Sequence, residues 1–217
     1  LMHSGKVYIA LIVLSFTILG LFLTNAKTES IPFEEKQKGV CWVGLPKAIG
    51  DSQIVDIKNL GVNWISQTPF GWQRTLSDTT IRWETSSENP WWGESKRGIA
   101  ITTELARNRG IRTLLKPHIW VRNSWPGAIE MNSDAEWKSW FRQYENFILP
   151  YAALADSLGV EIFCIGTELH QTVMRPEWPL LIKKIRNIYK GKLTYAANFS
   201  GEFEEVPFWN ELDYIGV

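Results

Sequence analysis

The chain has 217 residues, with 23 Lys+Arg against 23 Asp+Glu and no formal net charge. That balance excludes the basic face through which a nucleic-acid partner is bound by counterion release. His3, His118 and His170 stand far apart, without metal-ligand spacing. The unusual count is 12 Trp, a residue seldom buried completely and suited to a dense core or to stacking on flat apolar faces.

The N-terminus opens on Lys6 and an apolar run from Val7 to Leu23, followed by Thr24-Asn25-Ala26. A basic start, an apolar stretch and small residues before a cut make a secretory signal. The run also approaches the length of a membrane span, so residues 1–26 read as a signal peptide or an uncleaved membrane anchor. Either places the protein outside the cytoplasm, secreted or held at a membrane that the N-terminal segment contacts. No Cys follows the run, which speaks against a lipoprotein anchor. Leu1 before Met2 hints at a misassigned start or a fragment. Residues 27–38 are polar and charged and read as a linker. Cys41 and Cys164 each sit in an apolar run and are expected to be buried thiols, not a disulfide framework.

From Gly39 strands and helices alternate. Gly39–Leu45 is a short apolar strand. Asp51–Leu60 carries Ile54, Ile57 and Leu60 on one helical face and ends at Gly61. Val62–Phe70 is the second strand, and a long loop with Trp72, Trp83, Trp91 and Trp92 follows. A helix over about 99–109 stops at Gly110, and Ile111–Trp120 is the third strand. Ser133 and Glu136 form an S-x-x-E capping box. Behind it Trp137, Trp140, Phe141, Tyr144, Ile148 and Tyr151 repeat at helical spacing, with Pro150 expected to kink or split the helix. Val160–Gly166 is the fourth strand. Pro179 opens a helix with Leu181, Ile182, Ile185 and Ile188 inward, to Tyr189. Lys192–Phe199 is the fifth strand and Leu212–Val217 begins a sixth.

Apolar strands alternating with amphipathic helices predict a parallel sheet covered on both faces, either doubly wound or closed into a barrel. Leu45-Pro46-Lys47 after the first strand has no glycine-rich phosphate loop, which weakens the nucleotide-binding version. Polar and aromatic residues instead gather just after strands: Gln67 and Phe70, Lys116 and His118, Glu168 and His170, Asn198 and Ser200. A barrel puts all of them on one rim, where active sites form. The predicted fold is therefore α/β, a (β/α)8 TIM barrel with about six of its eight strands present. About 180 residues follow the linker, against roughly 250 for a barrel of this type. Because Ile215-Gly216-Val217 reads as the interior of a buried strand, the C-terminal part is expected to be missing. The domains are 1–26, 27–38 and a partial catalytic barrel over 39–217.

Glu168 follows a largely apolar strand, where low-dielectric walls raise a carboxyl's pKa. That is what a general acid needs to hold its proton near neutrality. Glycoside hydrolysis uses two carboxyl groups, ~5–5.5 Å apart in retaining enzymes. The bland alternative is a loop glutamate paired with Arg175 or His170.

The run Val160–Gln171 (VEIFCIGTELHQ) resembles the fourth-strand motif of the family 113 glycoside hydrolases. Leu114–His118 (LLKPH), the Phe70-Gly71-Trp72 turn and Leu212–Val217 fit the same layout, over roughly Lys38 to Val217. The resemblance implies a retaining (β/α)8 β-mannanase with Glu168 as acid/base. The nucleophile, a seventh-strand Glu in that family, falls beyond Val217, so the chain as it stands is expected to be inactive. Where many members of the wider clan carry Asn before the acid/base, Thr167 stands here. Substrate contacts are expected from Trp72, Lys116, His118, His170 and Asn198. Of the rim tryptophans Trp72, Trp91, Trp92, Trp120 and Trp125, one or two are expected to form sugar platforms, whereas Trp137 and Trp140 belong to the core. Glu202, Glu204 and Glu205 are expected to be solvated. The substrate is a β-linked polysaccharide or oligosaccharide, β-1,4-mannan first, with no cofactor or metal. The alternatives are a non-catalytic carbohydrate-binding barrel and a glucan or xylan hydrolase of the same clan.

Overall fold

The computed structural model describes residues 36–83 and 91–217. The signal or anchor reading of 1–26 and most of the 27–38 linker lie outside the described residues. Gln37–Val217 forms one compact unit. Among the described residues no helix is long and apolar enough to cross a membrane.

In chain order the elements are β1 (Gly39–Val43), α1 (Asp51–Asn59), β2 (Trp64–Thr68), β3 (Phe70–Gln73), α2 (Lys96–Asn108), β4 (Arg112–Leu115) and β5 (His118–Val121). There follow α3 (Asp134–Leu158), β6 (Ile162–Thr167), α4 (Glu177–Ile188), β7 (Lys192–Ala196), the short α5 (Glu202–Glu205) and β8 (Tyr214–Gly216). Six strands form one sheet in the order β1-β2-β4-β6-β7-β8, and every neighbouring pair is parallel. This is the predicted α/β barrel architecture with six strands, two fewer than the eight of a (β/α)8 barrel. The sheet is open, with β1 and β8 at its edges.

Two expected strands divide. Pro69 separates β2 from β3, and Pro117 separates β4 from β5. Proline has no N–H for a ladder bond, so the main sheet stops at each one. Beyond it β3 and β5 pair with each other as a separate parallel ribbon, Phe70 opposite His118 and Trp72 opposite Trp120. Cys41 also departs from expectation: it is exposed, while Cys164 is buried. Cys41 lies on edge strand β1, which among the described residues pairs with β2 alone, so its apolar surroundings in sequence do not bring burial.

The core gathers around α3. Its expected stripe, Trp137, Trp140, Phe141, Tyr144, Ile148 and Tyr151, is buried, joined by Phe147, Ala152 and Ala155. Ser133 Oγ accepts the Glu136 N–H at 3.3 Å. The reciprocal bond lands one residue earlier than a standard box, on the Asn132 N–H at 2.8 Å. Pro150 neither ends nor divides the helix. The carbonyl it leaves without a donor belongs to Asn146, an exposed residue that water can serve. Polar tips in this packed interior are paired: Trp140 Nε1 donates to Gln73 Oε1 at 2.8 Å, and the Tyr144 hydroxyl to the Ile165 carbonyl at 2.8 Å.

β6 is buried at every residue. Gly166 lets Tyr195 and Trp178 close over it, for a Cβ there would stand 2.7 Å and 2.9 Å from their rings. These rings are fixed in the core, so Gly166→Ala is expected to destabilise the fold by about 1–3 kcal/mol. A lowered urea midpoint at constant slope would check this, and an unchanged midpoint would refute it.

Candidate active site

The parallel sheet brings the carboxyl ends of its strands to one side, and Glu168 stands there, directly after β6. Two backbone features aim it. The pairing of β6 with β7 shifts register between Cys164 and Thr167, an irregularity of the kind that redirects a side chain. Glu168 itself has φ +48°, in the left-handed region that favours glycine. Its N–H is held by the Ala196 carbonyl at 2.8 Å, which keeps the residue in that conformation.

The carboxylate does not pair with Arg175 or His170. Arg175 binds Asp134 at 3.0 Å and Glu177 at 3.2 Å, and its guanidinium lies over Trp137. His170 meets Glu205, Nε2 to Oε2, at 2.9 Å. Glu168 Oε2 instead accepts the Trp125 indole N–H at 2.6 Å. Gly127 makes room for that indole: a Cβ at 127 would fall 2.2 Å from the ring. His170 meets the same ring edge-on, with centroids 6.3 Å apart. Trp125 was among the rim aromatics in sequence, but nothing marked it as the partner of Glu168. The Gly two residues after it was the available local sign.

Behind Glu168 lies a buried acid. Glu202 was expected in solvent, yet it is wholly buried. One oxygen takes a short hydrogen bond from the Tyr195 hydroxyl, and the other accepts the Asn198 N–H at 2.7 Å. The Tyr195 hydroxyl in turn accepts the Leu169 N–H at 2.8 Å. Burial pushes the Glu202 carboxyl up, against the hydrogen bonds that favour its charge. The network ties the residue after Glu168 to β7 and α5, which is why the short helix turns this glutamate inward. Glu204 and Glu205 are exposed, as expected.

The remaining candidates are placed as follows. Thr167 is buried, its hydroxyl 3.8 Å from Cys164 Sγ. Asn198 Oδ1 accepts the Ser200 N–H at 2.8 Å, which leaves the amide nitrogen without a partner among the described residues. Lys116 is part-buried, and no carboxylate pairs with its ammonium among the described residues. The His118 ring lies tilted against Phe70, with centroids 5.6 Å apart. Its Nε2 is buried with no hydrogen-bond partner among the described residues. Burial and the Lys116 charge push His118 down to about 4, opposed by the Glu168 carboxylate, so the ring is neutral near pH 7. Trp72 stands half-exposed on β3. Sequence reasoning also passed over Glu94, buried in the loop before α2, whose Oε2 accepts the Phe70 N–H at 3.1 Å and anchors the start of β3. Nothing in Trp91-Trp92-Gly93-Glu94 distinguished it from a loop acid. Among the described residues no group of three or more His, Cys, Asp or Glu is placed to hold a metal ion.

Comparison with known proteins gives a consistent set of matches. The profile of Glycoside Hydrolase Family 113 matches residues 46–217. No curated protein sequence matches the chain. Among solved structures, the GH113 β-mannanase AaManA of Alicyclobacillus acidocaldarius, in complex with ManMIm, is 28% identical with a TM-score of 0.72. That match covers 82% of this chain and 59% of the other. Two structures of GH113 β-1,4-mannanase, one of them a complex, are each 24% identical with a TM-score of 0.71, over 84% of this chain and 62% of the other. The chain thus spans about three fifths of the length of the solved structures it matches.

His118 yields a stability test. Its pKa falls from the usual 6.5 to about 4 on folding. Folding therefore favours the neutral ring, and the stability it holds above pH 6.5 is lost as pH falls towards 4. Urea denaturation across that window should show a loss on the order of 2 kcal/mol that His118→Gln removes. An identical pH slope in the variant would contradict the buried, neutral ring.

Proposed function

Because the chain belongs to Glycoside Hydrolase Family 113, we propose that it is the acid/base-bearing part of a retaining glycoside hydrolase acting on β-1,4-mannan. The observation that carries the reading is Glu168. It lies at the carboxyl end of a buried strand, on the rim where barrel enzymes do their chemistry, in a run that resembles that family's fourth-strand motif.

In the proposed reaction a neutral Glu168 gives its proton to the glycosidic oxygen as the bond to the anomeric carbon breaks. A second carboxylate attacks that carbon and forms a covalent glycosyl intermediate. The Glu168 carboxylate then takes a proton from water, whose oxygen displaces the enzyme carboxylate and restores the free sugar. Of the acids on nearby loops, Glu202 is buried with both oxygens engaged, and Glu205 is tied to His170. We therefore assign the nucleophile to none of the described residues, and residues 1–217 alone are expected to turn over no polysaccharide. Lys116, neutral His118, His170 and the Asn198 amide are proposed contacts to sugar hydroxyls, and Trp72 a stacking contact. The chemistry assigned to these residues needs no cofactor. The apolar run over Val7–Leu23 supports an extracytoplasmic location, secreted or anchored.

β-1,4-Mannan is favoured over glucan or xylan because a solved relative 28% identical to the chain is described as a β-mannanase. The non-catalytic alternative makes the opposite claim about Glu168. In the protein expressed from its whole gene, Glu168→Gln should lower turnover of substrates with poor leaving groups by about 10³-fold, and of activated aryl glycosides far less. Equal loss on both substrate types, or no loss, removes Glu168 from this role. Trp125→Phe keeps the ring but not the N–H. It should cost roughly tenfold in kcat with little change in KM, again most on poor leaving groups. An effect on KM alone would make Trp125 a substrate contact instead of a positioning residue.

A further inference from the structure

We infer that Glu202 and Tyr195 act as a positioning pair for the proposed acid/base, a carboxylate and a phenol that together lock the backbone of Glu168 in the conformation from which it meets the substrate. The inference rests on the acid/base reading above. Both residues are wholly buried, so their effect on the reaction passes through Glu168 and not through contact with a sugar.

The lock is made on both sides of the Glu168 Cα. The peptide plane before it is fixed by the Glu168 N–H, which donates to the Ala196 carbonyl at 2.8 Å. The plane after it is fixed by the Leu169 N–H, which donates to the Tyr195 hydroxyl at 2.8 Å. These two rigid planes set φ and ψ of the residue between them. Both acceptors come from adjacent residues of β7, one from the main chain and one from a side chain. Residues other than glycine avoid φ +48°, so losing either bond frees the turn to relax.

The Glu202 carboxylate turns the Tyr195 hydroxyl the way the lock needs. A phenol has one proton to give and an oxygen that accepts. Here the proton goes to Glu202 in a short hydrogen bond, and the oxygen is left to receive Leu169. The second Glu202 oxygen accepts the Asn198 N–H at 2.7 Å. With a donor aimed at each oxygen the arrangement calls for the ionised acid, and a charge-assisted bond at the end of the chain strengthens the one before it. The same carboxylate thereby holds Asn198, a proposed sugar contact, in place relative to Glu168. Helix α5 reaches the turn once more, where Glu205 meets His170 at 2.9 Å.

The test has a physical arm and a kinetic one. Glu202→Gln preserves shape but replaces one acceptor by a donor, and Tyr195→Phe preserves the ring but deletes the hydroxyl. In the protein expressed from its whole gene with isotope-labelled leucine, the Leu169 amide should exchange with deuterium roughly tenfold faster in each variant. The Leu193 amide on the same strand, bonded to Asp213, should keep its protection. Each variant should also lower kcat about tenfold on mannooligosaccharides, whose poor leaving groups need the acid, with KM little changed and activated aryl glycosides far less affected. The double variant should lose no more than the worse single one, because the two residues act as one chain. Unchanged Leu169 exchange in both variants overturns the pair, as do losses equal on both substrate types or multiplied in the double variant. Glu168→Gln on the same substrates shows which reading has failed. An impaired Glu168→Gln beside unimpaired pair variants overturns the pair alone, whereas normal turnover by Glu168→Gln overturns the acid/base reading and the pair with it.

Discussion

The parallel ladder is the constraint on which the molecule is built. When every neighbouring strand of the main sheet runs the same way, each strand releases its chain at the same edge, and each must be followed by a crossover back to the start. The helices α1 to α4 supply four of the five crossovers, the short α5 lies in the fifth, and α3 supplies most of the grip. Its aromatic stripe fills the space behind β6, with Trp140 and Tyr144 stacked at 5.1 Å and Trp178 of α4 set edge-on against Phe141 at 5.8 Å. Because β6 is held on both faces, the residue that follows it emerges at a defined point.

That residue is Glu168, and its surroundings divide the work. Below it, the Leu169–Tyr195–Glu202 chain of hydrogen bonds fixes the backbone from the interior, where a paired polar group is stable and an orphan is costly. Above it, the Trp125 indole holds one carboxylate oxygen. The left-handed backbone at Glu168 is tolerated because both sets of contacts require it. Local strain of this kind persists where the surrounding structure over-determines the conformation.

Two prolines shape the rim. Pro69 and Pro117 stand at matching heights on β2–β3 and β4–β5, for Lys116 N–H still bonds to Gln67 and His118 N–H bonds to the Pro69 carbonyl. Each ends the main ladder at its own strand, and the two chains continue upward as a ribbon. The ribbon keeps one face in the core and carries four aromatic rings on the other, of which Trp72 and Trp120 are exposed and Phe70 and His118 partly buried. A change of covalent chemistry at two backbone nitrogens thus converts the ends of two barrel strands into a separate surface.

Helix periodicity, capping residues and apolar strand runs identified the order of elements, the parallel sheet and the stripe of α3. All of these are local patterns carried by residues a few positions apart. The place of Glu168 at a strand end was legible for the same reason. Its partner was not, since Trp125 is 43 residues away, and neither was the His170–Glu205 pair, 35 residues apart. Burial misled wherever it depended on a neighbour's presence. Cys41 is exposed because its strand is an edge, and Glu202 is buried because the Tyr195 hydroxyl and the Asn198 backbone N–H receive it. Periodicity reports which face a residue takes, but what covers that face is decided only when distant segments meet.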